Sequence, residues 1–502
     1  MLVTKQTRER GEVSVAKITR SSRLRPVEIG KVGELKTVVE VVDEAMTAFG
    51  GIPLIGRVER RVGLIKELSA RIEDIRAQNR VDHEKEDVIL QRASQIAAGH
   101  ADGNDCDWLR IDPAILLLLN RDPETGRPGA SQETMSKFEK NAINAGNLNH
   151  VNEIFVDHYI ACHRKPPKEI VLDPDGTMMK TYGTQEGAVY RGGKYKHEMY
   201  FPLKIFCGEW LLATILRRGD QSKARTILAQ LKIIVAKLRT KWRGIRIKVR
   251  MDAAFCSPQL VEWLKEQKVS YELALRSTSC LNEYSKWFVE EARLQFIRTY
   301  GDPQFIGSDG NQQAHAKHAR IRGLATAERM EEEDTSKSRR VRVVGEFCYQ
   351  PEKWKKFLKW NEWERVICRC DYTDKGSDVK YVLVSQQHGI PRRLYEDSYC
   401  QRGSAEQCIG RFKQIGRKLS AQEFHANQFR LILYGIAYML LMHLRKFVKP
   451  ALQRADANTL QKHLIVIPAV IRQTQTKRVI QISAKHANRA NFLDTWRRLM
   501  AA

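Results

Sequence analysis

Between residues 169 and 275 the chain reads as a strand, a hairpin of two strands, a helix, a strand, a helix and a strand. No other feature restricts the fold as much, because alternating strands and helices of this length specify an α/β domain. The first strand, Glu169-Ile170-Val171-Leu172-Asp173-Pro174-Asp175-Gly176-Thr177, runs into a turn. Strands over 197–206 and 210–216 follow, joined by Cys207-Gly208-Glu209 as a tight hairpin. A helix over 222–241, capped by Asp220 or Ser222, leads to a strand over 245–252, a helix over 258–267 and a strand over 271–275.

Two of these strands end in aspartates. Asp252 closes Ile-Lys-Val-Arg-Met-Asp and Asp175 closes the first strand, so strands lying side by side bring both carboxylates to one end of the sheet. Glu406, on a later helix, supplies a third. Three carboxylates suffice to hold two Mg²⁺ ions roughly 3.5 to 4 Å apart for in-line attack on a phosphodiester. The set offers oxygen and neither sulfur nor imidazole, which suits hard cations. Asp173 rivals Asp175 as the first ligand, because strand alternation puts Val171, Asp173 and Asp175 on one side; Asp175, at the strand end, is preferred.

A second constellation lies in Tyr-Cys-Gln-Arg-Gly-Ser-Ala-Glu-Gln-Cys-Ile-Gly-Arg-Phe-Lys, residues 399–413. At about 100° per residue, Tyr399, Arg402, Glu406 and Lys413 project from one helical face roughly 60° wide. That face carries a phenol, a guanidinium, a carboxylate and an ammonium. Taken alone it also reads as a solvated face with an ordinary i,i+4 ion pair between Arg402 and Glu406.

The flanking regions are simpler. Residues 1–26 read as a basic arm, with Lys5, Arg8, Arg10, Lys17, Arg20, Arg23 and Arg25 among few large apolar groups. From residue 35 to about 156 the patterning is helical: Val38, Val39, Val41 and Val42 with Ala45 and Met46, then 89–98, then 114–119 opened by Asp112-Pro113. Ser131 caps a short helix carrying Lys137 and Lys140, which is either a DNA-reading unit or a pair of packed helices. Residues 276–397 interrupt the α/β pattern with a mixed-charge linker, 328–340, and strands over 341–349, 363–371 and 379–385. A long helix over 421–448 then reads as core, followed by a hairpin (464–471 with 479–482) and a terminal helix from Ala490.

With 85 Lys and Arg against 59 Asp and Glu, the net charge of +26 points to a polyanionic partner. The N-terminus has no signal-peptide pattern, and the strongest apolar run, 431–442, is shorter than the roughly 20 residues a bilayer needs. A soluble intracellular protein is expected. The ten cysteines are scattered without C-x2-C spacing and the thirteen histidines form no H-E-x-x-H motif, so reduced thiols are expected and a zinc enzyme is not.

The spacing Tyr-x2-Arg-x3-Glu-x6-Lys resembles that of bacterial insertion-sequence transposases. From about residue 30 to its end the chain resembles the transposase DDE-domain (group 1) family, in Asp175-Gly176-Thr177, in Arg250-Met251-Asp252 and in Arg402-Gly403-Ser404-Ala405-Glu406. Tyr182-Gly183-Thr184-Gln185-Glu186-Gly187-Ala188 and Asn427-Gln428-Phe429-Arg430-Leu431 are similar to it too. Relatives often carry Ser-Gly after the second Asp and Asn after the Glu, where this chain has Ala253-Ala254 and Gln407.

The resemblance implies a ribonuclease-H-like catalytic domain in two parts, 157–276 and 398–450, interrupted by a β-rich insertion at 277–397. A basic arm and helical DNA-binding domain at 1–156 would precede it, and a hairpin and helix at 451–502 would follow. It further implies cut-and-paste transposition, with Asp175, Asp252 and Glu406 binding two Mg²⁺ ions, for which Mn²⁺ can substitute. Arg402, Lys413 and Tyr399 would hold or orient phosphates, and Trp354, Trp360 or Trp363 would stack on a flipped base, as in hairpin-forming relatives. The implied partners are double-stranded DNA, as terminal inverted repeats and target, and a second copy of the chain in a synaptic homodimer. The implied setting is the bacterial cytoplasm, at the nucleoid and away from membranes. A non-catalytic DNA-binding descendant and a ribonuclease-H-like nuclease without strand transfer are the alternatives.

Overall fold

The computed structural model describes residues 26–502 apart from 77–78, 80, 144–145, 193–195, 219–222, 302–338, 351–362 and 417. The basic arm, the caps Asp220 and Ser222, nearly all of the 328–340 linker, and Trp354 and Trp360 therefore lie outside the described residues.

The chain forms two compact units, Met1–Ala45 and Met46–Ala502. In the first, β1 (Val27–Val32) pairs antiparallel with β2 (Leu35–Val39). This corrects the helical reading of Val38 and Val39. β-Branched side chains fit a pleated strand better than a helix, and Gly33, at φ +64°, supplies the left-handed turn residue between the strands.

The second unit begins with a short strand, Met46–Thr47, paired antiparallel with Ala469–Gln473, so the helical reading of Met46 is corrected as well, and helices follow. They include α1 (Ile52–Val62), α2 (Lys85–Ala97), α3 (Pro113–Leu118), α4 (Gln132–Asn141) and α5 (Ile154–Cys162). Asp112 caps α3 by accepting from Ala114 N at 2.8 Å, and Ser131 caps α4 by accepting from Thr134 N at 3.3 Å. Both lysines of α4 are paired at the surface, Lys137 with Glu133 (2.6 Å) and Lys140 with Glu423 (2.8 Å).

Next comes an eight-stranded mixed sheet among the described residues. Its strands are β3 (Ile170–Gly176), β4 (Leu203–Cys207), β5 (Trp210–Ile215), β6 (Ile247–Met251), β7 (Ser270–Leu275), β8 (Arg340–Tyr349), β9 (Glu364–Thr373) and β10 (Gly376–Val384). In space they run β8-β9-β10-β7-β6-β3-β4-β5. β3, β6 and β7 are mutually parallel, while β4 and β5 continue antiparallel beyond β3. On the other side β10 pairs antiparallel with β7, so the three strands expected of the insertion extend this same sheet.

The strand expected over 197–206 is broken. Pro202 has no N–H to give to a ladder, and the chain divides there into His197–Tyr200, which joins a separate small sheet, and β4.

Alternation on β6 sends Ile247, Val249 and Met251 into a core that includes Ile227, Leu231, Ile234, Val235 and Leu238 from α6 (Lys223–Lys241). Those five positions recur at helical spacing, which is why α6 can cover a sheet. The other large core is built on α8 (Phe424–Arg445), preceded by α7 (Gly403–Ile415). Every residue of α8 from Ala426 to Arg445 is buried, as expected of the long apolar helix. The helices of 52–162 pack onto it, so they share its core and do not close one of their own. At Gly435 an added Cβ would lie 2.5 Å from the Phe155 ring and 2.9 Å from Leu211, so glycine is what lets α8 approach α5 and β5. No helix of the described residues is long and apolar enough to cross a membrane.

Candidate active site

Because β3 and β6 are neighbouring parallel strands, Asp175 and Asp252 come to the same, carboxyl-terminal end of the sheet. Each carboxylate is held locally by a backbone N–H of the next residue, Asp175 by Gly176 and Asp252 by Ala253, both at 2.7 Å. The third carboxylate arrives on α7, in whose first turn Glu406 stands exposed.

The approach to α7 is not the single straight helix that the spacing suggests. Residues Leu394–Ser398 form a π turn and Tyr399–Arg402 a 3-10 turn before α-helical geometry begins at Gly403. A physical cause is at hand: the Ser398 carbonyl accepts from Arg250 Nη1 at 2.7 Å, while Ser398 Oγ donates to Glu272 at 2.5 Å and accepts from Lys248 at 3.1 Å. Anchored by three buried charged side chains, the turn bends to serve them.

This anchoring set was missed at the level of sequence. The sequence alone assigns no role to Lys248 and Arg250; in the fold Arg250 grips Asp173 and Lys248 pairs with Glu272 at 3.1 Å, all four buried. The available signal was that cations alternating with Ile, Val and Met inside a strand must sit on one covered face. It also separates the rival aspartates: Asp173 is 1% exposed and occupied by Arg250, whereas Asp175 faces the site.

Arg402 links the constellation. Its Nη1 lies 3.3 Å from Asp175 Oδ2 and its Nη2 2.8 Å from Glu406 Oε1. Burial pushes the Asp175 carboxyl up from the usual range, Arg402 opposes this, and the charges of Asp252 and Glu406 push it further up. Tyr399 is buried against Tyr395, with ring centroids 5.8 Å apart. Burial raises its phenol to about 12, partly offset by Arg402, so the phenol stays protonated. The guanidinium of Arg402 thus stands as a cation among three carboxylates and a phenol.

Lys413 is exposed on the last turn of α7. Its charge reaches Lys204, the cross-strand partner of Asp175 on β4. Lys204 is fully buried, its Nζ makes no hydrogen bond among the described residues, and it faces the Phe412 ring at 4.6 Å. Trp363 is 58% exposed and immediately precedes β9.

The donor set suits a hard divalent cation, since it is all carboxylate oxygen and its negative charge is already answered by a positive group, the Arg402 guanidinium. The three carboxylates stand wider than a closed ligand shell. Among the described residues, the three-ligand group whose donor atoms all lie within 4.8 Å of one another is a different one, His158, Cys162 and His443.

Two other sequence stretches meet each other. Gln185 donates to the Leu419 carbonyl at 2.7 Å and accepts from Asn427 at 3.2 Å, and Glu186 accepts from the Phe424 N–H at 3.1 Å. Residues 182–188 therefore dock on the N-terminus of α8.

A family model described as Transposase DDE domain group 1 matches residues 30–502. None of the curated proteins matches. Among solved structures, the cryo-EM structure of a piggyBac transposase synaptic complex with hairpin DNA is similar at 10% identity and a TM-score of 0.34, over 83% of this chain and 84% of that one.

Proposed function

Because the chain belongs to the transposase DDE domain group 1 family, we propose that it is a metal-dependent cut-and-paste DNA transposase, with Asp175, Asp252 and Glu406 as its catalytic carboxylates. The observation that carries this reading is the meeting of Asp175 and Glu406, 231 positions apart in the sequence, through Arg402, with Asp252 at the end of the neighbouring strand. The strand order β5-β4-β3-β6-β7, with the first three antiparallel and the last two joining β3 in parallel, supports a ribonuclease-H-like catalytic fold.

Mg²⁺ ions, or Mn²⁺ in their place, held by these oxygens would lower the pKa of an attacking water and neutralise charge on the phosphodiester. The chain supplies the rest. Asp175 and Asp252 are fixed by the backbone amides that follow them, which would keep their orientation were a cation to take over from the guanidinium as the counter-charge of Asp175. Arg402 then has donors free for a phosphate oxygen. Tyr399, protonated and packed on Tyr395, limits where that guanidinium can go, and Lys413 extends the positive track along α7. Trp363, exposed just before β9, would stack on an unpaired base.

The substrates are the terminal inverted repeats of an insertion sequence and the target duplex, engaged by a homodimer at the bacterial nucleoid. Nicking at the element's end frees a 3′-hydroxyl, which then attacks target DNA.

The test is Mg²⁺-dependent nicking and joining of a linear duplex that carries the inverted repeats flanking the reading frame. Glu406→Gln should cut more slowly by about 10²- to 10³-fold or more while still binding the ends in Ca²⁺. Nicking without joining would indicate a nuclease, and binding without nicking a DNA-binding descendant. Undiminished cutting by Glu406→Gln would remove the assignment. Binding should also weaken steeply between 50 and 200 mM salt, with a log-log slope near −0.9 per phosphate contact.

A further inference from the structure

We propose that His158, Cys162 and His443 form a second metal site, for Zn²⁺ or a comparably soft divalent transition metal, separate from the carboxylates in position and chemistry. His158 and Cys162 stand four residues apart on α5 and so share a face, and His443 reaches them from the last turn of α8. His158 Nε2 lies 2.8 Å from His443 Nε2 and 3.6 Å from Cys162 Sγ. In a tetrahedral zinc site with Zn–N of about 2.0–2.1 Å and Zn–S of about 2.3 Å, the N···S edge is about 3.6 Å and the N···N edge about 3.3 Å. Of the three edges, His158–Cys162 already fits, the His–His edge needs to open by about half an ångström, a small rotation of either ring, and the Cys162–His443 edge lies within 4.8 Å.

The protonation states favour the metal. Burial, with the Lys446 charge adding, lowers His158 to about 4; burial, with His158 and Lys446 adding, lowers His443 to about 3. Both rings are therefore neutral at physiological pH; one Nε2 already has a lone pair, and the other exposes its own when the proton it shares across the 2.8 Å bond moves to that ring's Nδ1 by tautomer exchange through solvent. On binding, Cys162 releases its thiol proton to solvent, which the nearby Lys446 ammonium assists against the effect of burial. Trp210 packs on both imidazoles, with ring centroids at 6.1 Å from His158 and 5.5 Å from His443, and limits their rotation. A cavity of about 340 Å³ lined by Trp210, Met439, His443 and Lys446 adjoins the site, leaving room for a water as fourth ligand.

Such an ion would staple α5 to the end of α8 beside the β4–β5 turn, whose Glu209 binds Arg411 of α7 at 2.6 Å and also Arg445. A thiolate with two imidazoles selects Zn²⁺ over Mg²⁺, so the two metal classes do not compete.

The test uses the full chain, stripped by chelator and titrated with Co²⁺ in excess Mg²⁺, then with Zn²⁺. One equivalent of Co²⁺ should give a thiolate-to-cobalt charge-transfer band, and Zn²⁺ should abolish it. Cys162→Ser, at an exposed position that tolerates the change, should lose the band and bind Zn²⁺ about a hundredfold more weakly or worse. His443→Gln should weaken binding likewise, with its melting temperature measured alongside. The proposal is overturned if the parent protein gives no band, or if the band survives Cys162→Ser. In either case the two histidines are simply a hydrogen-bonded neutral pair.

Discussion

Arg250 holds Asp173 in a two-bond fork, Nε to Oδ1 at 2.8 Å and Nη2 to Oδ2 at 2.7 Å, two residues before Asp175 on the same strand. Breaking a buried pair of this kind by removing one charge costs about 3–5 kcal/mol, because its partner is left uncompensated. Asp173→Asn should therefore lower stability by that amount in urea unfolding and, at temperatures where it stays folded, retain most of its nicking activity. Asp175→Asn should behave oppositely, with stability held or raised and nicking lost. Equal loss of activity in both variants, with both folded, would reopen the choice of first ligand.

Arg402→Ala removes the counter-charge shared by Asp175 and Glu406. The maximal cleavage rate should fall by about 10²- to 10³-fold, while the Mg²⁺ concentration for half-maximal rate decreases, since one competing cation is gone. Lys413→Ala, at an exposed position, should leave the Mg²⁺ dependence alone and reduce the salt slope of DNA binding by about 1. A Mg²⁺ titration of cleavage for each variant separates the two roles.

Lys204 gives a pH signature. Burial pushes its ammonium down to about 7, with Lys413 adding and Asp175 opposing. A depressed base contributes stability above its unfolded pKa, and that stability is lost as pH falls to the folded value. Relative to Lys204→Met, the metal-free parent should gain stability as pH rises from about 7 toward the unfolded value of 10.5, and the gap should be constant below pH 7. Lys204→Met should be the more stable chain at pH 7. Thermal melts of both chains across this range provide the check.

Gly435→Ala should destabilise by about 1–3 kcal/mol through overpacking against Phe155 and Leu211. Helix propensity alone favours alanine by roughly 0.8–1.0 kcal/mol, so a net loss in denaturant unfolding measures the close approach of α8.

Much of the architecture was legible because its signals are local. Strand periodicity ended at Asp175 and at Asp252, and parallel pairing of β3 with β6 brings the two together. The apolar period of α8 and the caps Asp112 and Ser131 were equally plain. What escaped was decided by tertiary contact. Nothing local in the sequence pairs Arg250 with Asp173 or Lys248 with Glu272, and their contacts to Ser398 reshape 394–402 into irregular turns that no helical wheel anticipates. Val38 and Val39 satisfied a helical period over a window too short to outweigh the turn at Gly33. His158 and His443 are 285 residues apart, so scanning for neighbouring ligands passes over them.

The joining of β10 to β7 has a consequence for synthesis. Chains emerge from the ribosome N-terminus first, so β7 is made more than a hundred residues before the strand that covers its outer edge. Until then it is a bare edge, open to pairing with whatever strand is near. Glu406 and the whole of α8 come later still. A nascent or truncated chain thus has two of its carboxylates early but neither the third nor the long helix that organises the core. On the proposed assignment, a chain that stops short of Glu406 holds an incomplete carboxylate set and lacks the helix that organises the core.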